Sequence, residues 1–393
     1  MRKIPLDQLT EGMILGRSLY AGANLLLLAA GERLDDEYIK RIGELGYSAL
    51  FVEDDDFDEV QPQEIIEETT RRVSEAAVSE GVESLAHAVH LKSEASEITR
   101  ELLEEHPDVF RVPNLPDLTQ AVSTILRDII DSQVTLLDVF AEVAHSTYHY
   151  RHAVNVAVIS VLLGREFGYS SRQLRELGLG ALLHDFGKLC IPGVFGHPKH
   201  SLANDALERF KEHPTFGAML LENADETLFT ERLTIWHHHE WQNGKGYPQG
   251  LTGDNQPPTH TGPLESNRIF RYAEIVSIAE AYDNLVNGNG IIPRPLAPAD
   301  ALGTIMSFCH KRFNQAACHA MTKIICLYPT GSMVQIVDTD AFGLVGYFAV
   351  VSEQTEDTAR PQVILYADPD GNRVKPKTID FSRDQRLRLK LMV

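Results

Sequence analysis

Hydrophobic residues recur every three or four positions through the middle of the chain. This spacing is typical of amphipathic helices, and it holds from about residue 118 to residue 327, with Gly/Pro loops near 191–200 and 243–263. A preceding run at 65–106, rich in Glu, Ala, Ser and Leu, also favours helix. The clearest helical stretches are 118–130, 134–149 and 153–167. The middle of the chain therefore predicts a mainly α fold.

The two ends of the chain have a different pattern. Near the start, an apolar run at 25–30 predicts a buried strand, 35–45 a short helix, and 48–52 a second strand. After residue 328, β-branched and aromatic runs at 333–337, 342–351 and 363–366 predict strands. We expect a small N-terminal α+β unit for regulation or dimerisation at 1–60, a helical linker at 61–135, a helical catalytic domain at 136–327 and a β-rich appendage at 328–393.

Charge narrows the range of partners. The chain has 36 Lys and Arg against 56 Asp and Glu, a formal net charge of -20. Non-specific binding to nucleic acid or to an anionic membrane needs a basic surface, so neither partner is expected. The four cysteines form no CxxC pair, and we find no signal peptide or bilayer-length apolar run. We expect a cytoplasmic protein.

The first candidate site is the stretch ALLHDFGKLCI at residues 181–191. His184 and Asp185 follow an apolar helical run, and Lys188 comes one turn later, over both of them. A polar helix end that closes at Gly187 is the plain structural explanation. Burying an imidazole, a carboxylate and an ammonium together is costly unless they pair or bind a metal.

Further imidazoles and carboxylates occur at the inner edges of other predicted helices. A single such histidine is usually structural, but several groups together favour metal binding, because His and carboxylate form the ligand set of Fe, Mn, Zn or Ni. Two metal ions that share a bridging carboxylate are suited to phosphoryl displacement. The additional candidates are His152, His213, His238, His239, Glu280 and Asp283.

These motifs resemble, in type and in order, those of the HD-GYP family of HD phosphohydrolases. The matching elements are His152, then HDFGK at 184–188, His213, and HHEWQNGKGYP at 238–248. The resemblance covers about residues 140–327 and implies an HD-type all-helical metal-binding domain. It also implies a phosphodiesterase that opens cyclic di-GMP to pGpG, and in some members continues to GMP.

The resemblance further implies a role for each matching residue. A metal-bound hydroxide would attack phosphorus, with Asp185 bridging the metals and Lys188 holding a phosphate oxygen. Gly246 and Tyr247 would lie beside the substrate. Two divalent transition metals are implied, iron first and manganese next, with ligands His152, His184, Asp185, His213, His238, His239 and Glu280.

Three positions depart from the family pattern. Glu280 stands where the family has Asp, so the geometry of the metal site is expected to differ. Tyr148 stands where members with three metals have Glu, so a third metal is not expected. The family's Arg-rich segment is replaced by NGNGIIPRPLAP, in which Arg294 is the remaining candidate for substrate binding.

The departures leave alternatives open. A degenerate member would keep its metals and bind a nucleotide or a signalling partner without turnover. Another member of the superfamily would hydrolyse a different nucleotide. A homodimer formed through the N-terminal unit and the helices at 65–105 is a further expectation.

Overall fold

The computed structural model describes residues 1–21, 25–45, 47, 49–62, 64–93, 98–132, 148–195, 204–259, 267–287 and 295–392. In this part of the chain the helices are α1 (Asp36–Glu44), α2 (Glu68–Ser93), α3 (Arg100–Glu105), α4 (Leu115–Asp131), α5 (Tyr148–Glu166), α6 (Ser171–Leu183), α7 (Asn204–Phe210), α8 (His213–Ala224), α9 (Phe229–His237), α10 (Arg271–Asn287), α11 (Pro298–Ser307) and α12 (Gln315–Ile324). The strands are β1 (Arg2–Pro5), β2 (Leu19–Ala21), β3 (Leu25–Leu28), β4 (Ala49–Val52), β5 (Met333–Asp338), β6 (Phe348–Glu353), β7 (Gln362–Ala367), β8 (Arg373–Asp380) and β9 (Arg388–Leu391). The expected mainly α fold with smaller mixed and β-rich parts is confirmed.

Helices α5, α6, α9 and α10 pack against one another and form the centre of the helical body. Helix α6 begins with a capping box, in which the Ser170 side chain and the Gln173 side chain satisfy each other's backbone N–H groups. Helix α10 is buried along most of its length, so polar side chains on it face other helices rather than water. The polar residues of α10 must therefore find partners inside the body.

The predicted helix at 65–106 is two helices in the structure, since α2 ends at Ser93 and α3 begins at Arg100. Most of the predicted helix at 134–149 lies outside the described residues, and α5 begins at Tyr148. Among the helices that could be described, none is both long and apolar enough to cross a bilayer.

The N-terminal part contains two antiparallel pairs, β1 with β4 and β2 with β3. The predicted helix at 35–45 is α1, where the Asp35 side chain accepts a hydrogen bond from the Tyr38 backbone N–H (2.7 Å). The strand expected at 25–30 is β3, and it is buried only in part, since the side chain of Leu28 is 7% exposed and belongs to the N-terminal apolar core. Strand β3 pairs with β2 at the surface, and the side chain of Leu26 is 49% exposed.

The C-terminal part is an antiparallel five-stranded sheet in the order β8-β7-β6-β5-β9. The predicted strand at 342–351 begins too early, because β6 starts at Phe348 and the side chain of Phe342 is fully exposed. The preceding loop is held by Asp384, which accepts from the Asp340 backbone N–H (3.0 Å). Polar contacts of this kind fix a loop where an apolar run alone suggests a strand.

The two ends of the chain contact each other. The backbone N–H of Lys3 donates to the carbonyl of Gly331 (2.8 Å). An apolar cluster joins the segment that follows β4 to the C-terminal sheet, and its buried members are Phe57, Val60, Met333, Val350 and Ile364.

Candidate metal centre

The helical body brings the seven predicted metal ligands to one buried place. His152 lies on α5, His184 ends α6, and Asp185 begins the 3-10 helix Phe186–Cys190. The others come from the remaining central helices and the loop after α9: His213 begins α8, His238 and His239 follow α9, and Glu280 lies on α10. The first turn of α8 and the ends of α6 and α9 therefore converge on α5 and α10.

One group consists of His152, His184 and Asp185, whose ligand atoms lie within 4.8 Å of one another. Asp185 Oδ2 is 3.4 Å from His184 Nε2 and 3.8 Å from His152 Nε2. His184 Nε2 is buried and has no hydrogen-bond partner, and the same is true of Asp185 Oδ1. Buried polar atoms without partners are uncommon and indicate a site for a ligand.

The second group consists of His213, His238 and His239, again with ligand atoms within 4.8 Å of one another. Asp185 Oδ1 lies 3.5 Å from His213 Nε2, so the two oxygens of this carboxylate face the two groups. Glu280 Oε2 lies 3.8 Å from His239 Nδ1. Asp185 is thus placed where a bridging carboxylate would lie.

The protonation of the imidazoles follows from their backbone contacts. In His184, His213 and His238, Nδ1 lies 2.7, 2.6 and 2.6 Å from the carbonyl oxygen three residues earlier. A carbonyl only accepts, so Nδ1 carries the hydrogen and Nε2 carries a lone pair. His213 Nε2 and His238 Nε2 are 3.2 Å apart, and their two lone pairs face each other. A divalent cation held by these two residues would relieve this repulsion.

Burial keeps the rings of His213 and His238 neutral, whereas in His184 burial is outweighed by the neighbouring Asp185, which raises the pKa. Burial lowers the pKa of His213 well below the usual range, with the Lys188 charge adding to the effect. Burial, together with the neighbouring His184, lowers the pKa of His238 to about 4. Neutral imidazole is the form that binds metal. The buried set of histidines and carboxylates fits divalent metal ions.

His152 is oriented from behind by Asp283 on α10. The Nδ1 of His152 lies 2.7 Å from Asp283 Oδ2, so the carboxylate accepts the Nδ1 hydrogen and directs Nε2 toward Asp185. Asp283 Oδ1 also accepts from the side-chain amides of Asn155 (2.7 Å) and Asn287 (2.9 Å). Such carboxylate support fixes a ligand's tautomer and ring orientation. Asp283 therefore supports the ring of His152 from behind.

Lys188 is the cation nearest to the Asp185 carboxylate. Its Nζ donates to Asp185 Oδ2 (2.5 Å) and lies 5.1 Å from the centre of the Phe210 ring. Burial alone would raise the pKa of Asp185, but the charges of His184 and Lys188 lower it well below the usual range. The carboxylate is therefore ionised at neutral pH.

The GYP loop lies against the second group. A Cβ on Gly246 would be 2.5 Å from both the Glu240 Cα and the His239 carbonyl oxygen, so only glycine fits this approach. The ring of Tyr247 lies 4.7 Å from that of His239. Glu240 holds the end of the loop, because its carboxylate accepts from three successive backbone N–H groups at residues 249–251 (2.6, 3.1 and 2.9 Å).

Three further basic residues concern the centre: one was predicted from the sequence to bind substrate, and the other two were given no role there. Arg294, the expected substrate contact, lies outside the described residues. Arg312 was not predicted: its guanidinium packs over Trp241, 5.3 Å from the ring centre. His237 has a structural role, since its Nδ1 accepts from the Phe270 backbone N–H (3.1 Å). No spacing rule in the sequence pointed to Arg312.

Comparison with known proteins agrees with this geometry. The profile of the family described as "HD domain" matches residues 125–260. This part of the chain is similar to HD domains. Its HD and GYP motifs and its similarity to cyclic di-GMP phosphodiesterases confirm the HD-GYP resemblance drawn from the sequence.

Several curated proteins are similar to about half of the chain. The cyclic di-GMP phosphodiesterase PdeB of Borreliella burgdorferi is 29% identical over 203 residues, which are 51% of this chain and 49% of that protein. The cyclic di-GMP phosphodiesterase PA4108 of Pseudomonas aeruginosa is 25% identical over 189 residues, 48% of this chain and 42% of that protein. The 3'3'-cGAMP-specific phosphodiesterase 2 of Vibrio cholerae is 26% identical over 198 residues, 48% of this chain and 36% of that protein. The chain thus spans half or less of the length of these relatives.

Proposed function

We propose that this protein is an HD-type, metal-dependent phosphodiesterase that hydrolyses cyclic di-GMP to pGpG. One observation carries the proposal: two groups of buried imidazoles face opposite oxygens of one carboxylate, Asp185, with Lys188 beside it. Adjacent metals held in this way are suited to in-line displacement at phosphorus. The relatives named as cyclic di-GMP phosphodiesterases support the choice of substrate.

The proposal assigns the seven residues to two metal ions. His152, His184 and Asp185 would hold one, and His213, His238 and His239 would hold the other, with Asp185 between them. Glu280 would complete the second set, because it is the carboxylate beside His239. We propose iron first and manganese second. Divalent metals at such a site lower the pKa of bound water and stabilise charge on phosphoryl oxygens.

Lys188 and the GYP loop would act on the substrate. The ammonium group of Lys188 already contacts one anionic oxygen, and a phosphate oxygen is chemically equivalent as a partner. Because the chain has a formal net charge of -20, a dianionic substrate needs such a local cation. Gly246 would allow the loop backbone to approach closely, and the ring of Tyr247 would lie along the substrate side of His239. Arg294 would be a second phosphate contact.

A receptor without turnover is the second candidate function. Glu280 favours it, because the longer side chain places the carboxylate differently from the Asp of the family pattern. A third outcome is cleavage of another cyclic dinucleotide, since similar proteins include 3'3'-cGAMP-specific phosphodiesterases.

The test pairs metal content with turnover in protein purified without oxygen. We expect about two metals per chain, release of pGpG from cyclic di-GMP, and loss of turnover in Asp185→Ala. Product chromatography separates pGpG from GMP, and a parallel assay with 3'3'-cGAMP reports the substrate class. Bound metal and bound nucleotide without product would support the receptor. Absence of metal from the unaltered protein would contradict both functions.

A further inference from the structure

A continuous row of hydrogen bonds runs from the N-terminal part of the chain to His152. Arg17, which precedes β2, donates through Nη1 to Glu64 Oε1 (2.6 Å). Arg71 on α2 donates through Nη2 to the other oxygen of Glu64 (3.2 Å) and through Nη1 to Asn155 Oδ1 (2.9 Å). Asn155 Nδ2 then donates to Asp283 Oδ1 (2.7 Å), and Asp283 Oδ2 accepts from His152 Nδ1 (2.7 Å).

The donor and acceptor groups of these side chains fix the direction of each hydrogen bond in the row. A guanidinium donates and never accepts, so it must meet the oxygen of the Asn155 amide. An ionised carboxylate accepts only, so Asp283 must meet the nitrogen of the same amide. Asn155 is therefore fixed in orientation between Arg71 and Asp283. The hydrogen bond that the Asn155 oxygen accepts from Arg71 also polarises the amide, and this strengthens the hydrogen bond that the Asn155 nitrogen donates to Asp283.

The charged side chains of the row have a net charge of zero. Arg17 and Arg71 carry two positive charges, and Glu64 and Asp283 carry two negative ones. Burial would raise the pKa of Glu64, but Arg71 and Arg17 hold it below its usual value. The Arg17 guanidinium is held in addition by the Pro62 carbonyl (2.7 Å). The beginning of the row is thus anchored in the segment between β4 and α2.

We propose that Arg71 is a positioning residue, through which the N-terminal part of the chain sets the tautomer and orientation of His152. This rests on the proposed role of His152 as a metal ligand. The described hydrogen bonds of Arg71 go to Glu64 and Asn155, so it acts on His152 through Asn155 and Asp283. A shift of the N-terminal part relative to α2 would change how firmly His152 Nε2 is directed toward Asp185.

The matched control is Arg151 on α5. Its Nε donates to Glu75 Oε1 on α2 (2.8 Å), so it is a second arginine that pairs with a glutamate close to the contact between α2 and α5. Substituting Arg151 changes the net charge by the same amount as substituting Arg71. Both arginines lower the pKa of Glu64, but among the described hydrogen bonds only Arg71 donates to Asn155, so the difference between the two variants reports the loss of that hydrogen bond.

The experiment measures Mn²⁺ affinity by competition with a chelator, in the full chain. Asp283→Asn is expected to weaken binding about 10- to 100-fold, as loss of a carboxylate behind a ligating histidine does. Arg71→Gln is expected to weaken it by a few-fold to about tenfold, and Arg151→Gln by less than twofold. The Arg71 effect should vanish in the Asp283→Asn background, because Arg71 acts through that carboxylate.

A second readout is independent of metal and of turnover. Nitrogen-15 NMR of histidine-labelled, metal-free protein reports which ring nitrogen of His152 carries the hydrogen, with His152→Gln used for assignment. The Nδ1–H fraction should fall in Arg71→Gln, recover in part in Arg71→Lys, and stay unchanged in Arg151→Gln. An unchanged tautomer in a folded Arg71→Gln, or equal metal-affinity losses with and without Asp283, would overturn the proposal. Failure of the proposed activity would leave the tautomer result intact, so the two failures are distinguishable.

Discussion

Gly187 lies where the 3-10 helix that follows Asp185 crosses the first turn of α8. A Cβ at this position would be 2.5 Å from the backbone nitrogen of Gly217 and closer still to the carbonyl oxygen of His213. Neither atom belongs to a flexible side chain, so the added methyl of Gly187→Ala cannot be accommodated by a rotamer change. The two backbone segments must separate instead.

The size of that separation follows from the contact distance. Real Cβ atoms essentially never approach other heavy atoms within 3.0 Å, so the Gly217 contact alone requires a shift of at least 0.5 Å (3.0 − 2.5). The shift moves His213 away from Asp185, whose Oδ1 now lies 3.5 Å from His213 Nε2. Metal ligands must hold their distances to about 0.2 Å. We therefore expect Gly187→Ala to lose metal from the second group and to be destabilised by about 3 kcal/mol, the upper part of the overpacking range.

The assay combines metal analysis of the purified variant with denaturant unfolding. Gly303→Ala is the control, because a Cβ at Gly303 in α11 meets nothing within 4 Å. That variant should keep its metal and gain up to about 1 kcal/mol, since alanine suits a helix interior better than glycine. A Gly187→Ala protein with unchanged metal content and unfolding midpoint would refute the reasoning.

Three further predictions concern the carboxyl groups of Glu231 and Glu280 and the ammonium group of Lys188. Burial raises the pKa of Glu231 to about 7, so folded protein retains a proton that unfolded protein releases near 4.5, and stability falls as pH rises between these values. Glu231→Gln should remove this fall and be more stable at pH 8 by about 1–2 kcal/mol, as measured by urea unfolding. If the free energy of unfolding changes with pH equally in both proteins, the prediction is wrong. Glu280→Gln removes the carboxylate beside His239 and should reduce bound metal from about two per chain toward one, as measured by elemental analysis; two retained metals would contradict its assignment. Lys188→Gln should keep both metals while turnover of cyclic di-GMP falls by at least about 100-fold, and turnover within tenfold of the unaltered enzyme would contradict a role in charge stabilisation.

The sequence predicted the residues of the centre better than their supporting contacts. His184, Asp185 and His238 stand in short linear motifs, which can be read directly from the sequence. Their convergence with His152 could be expected because several separated groups occurred in a known order. In the structure these side chains lie close to one another.

The supporting residues gave no such signal. Arg71 and Asn155 are 84 positions apart in the chain and belong to no motif, so only the packing of α2 against α5 brings them into contact. Arg312 is similar, since the loop before α12 meets Trp241 only in the folded protein. The strand boundary at Phe348 was missed for a related reason: the loop before it is fixed by polar contacts to Asp384, far along the chain. Contacts of long sequence separation have no period that a pattern could reveal.

The apolar cluster between the two ends of the chain has a consequence for the order of folding. Phe57 and Val60, which are 1% and 0% exposed, are covered by Met333, Val350 and Ile364 of the C-terminal sheet. During synthesis the N-terminal part emerges first and must wait for more than 270 residues before this cover exists. Until then its apolar side chains remain in water, where they favour association with other chains. Truncation after residue 327 would make that exposure permanent, so a fragment that ends there should aggregate even though its metal-binding helices are complete.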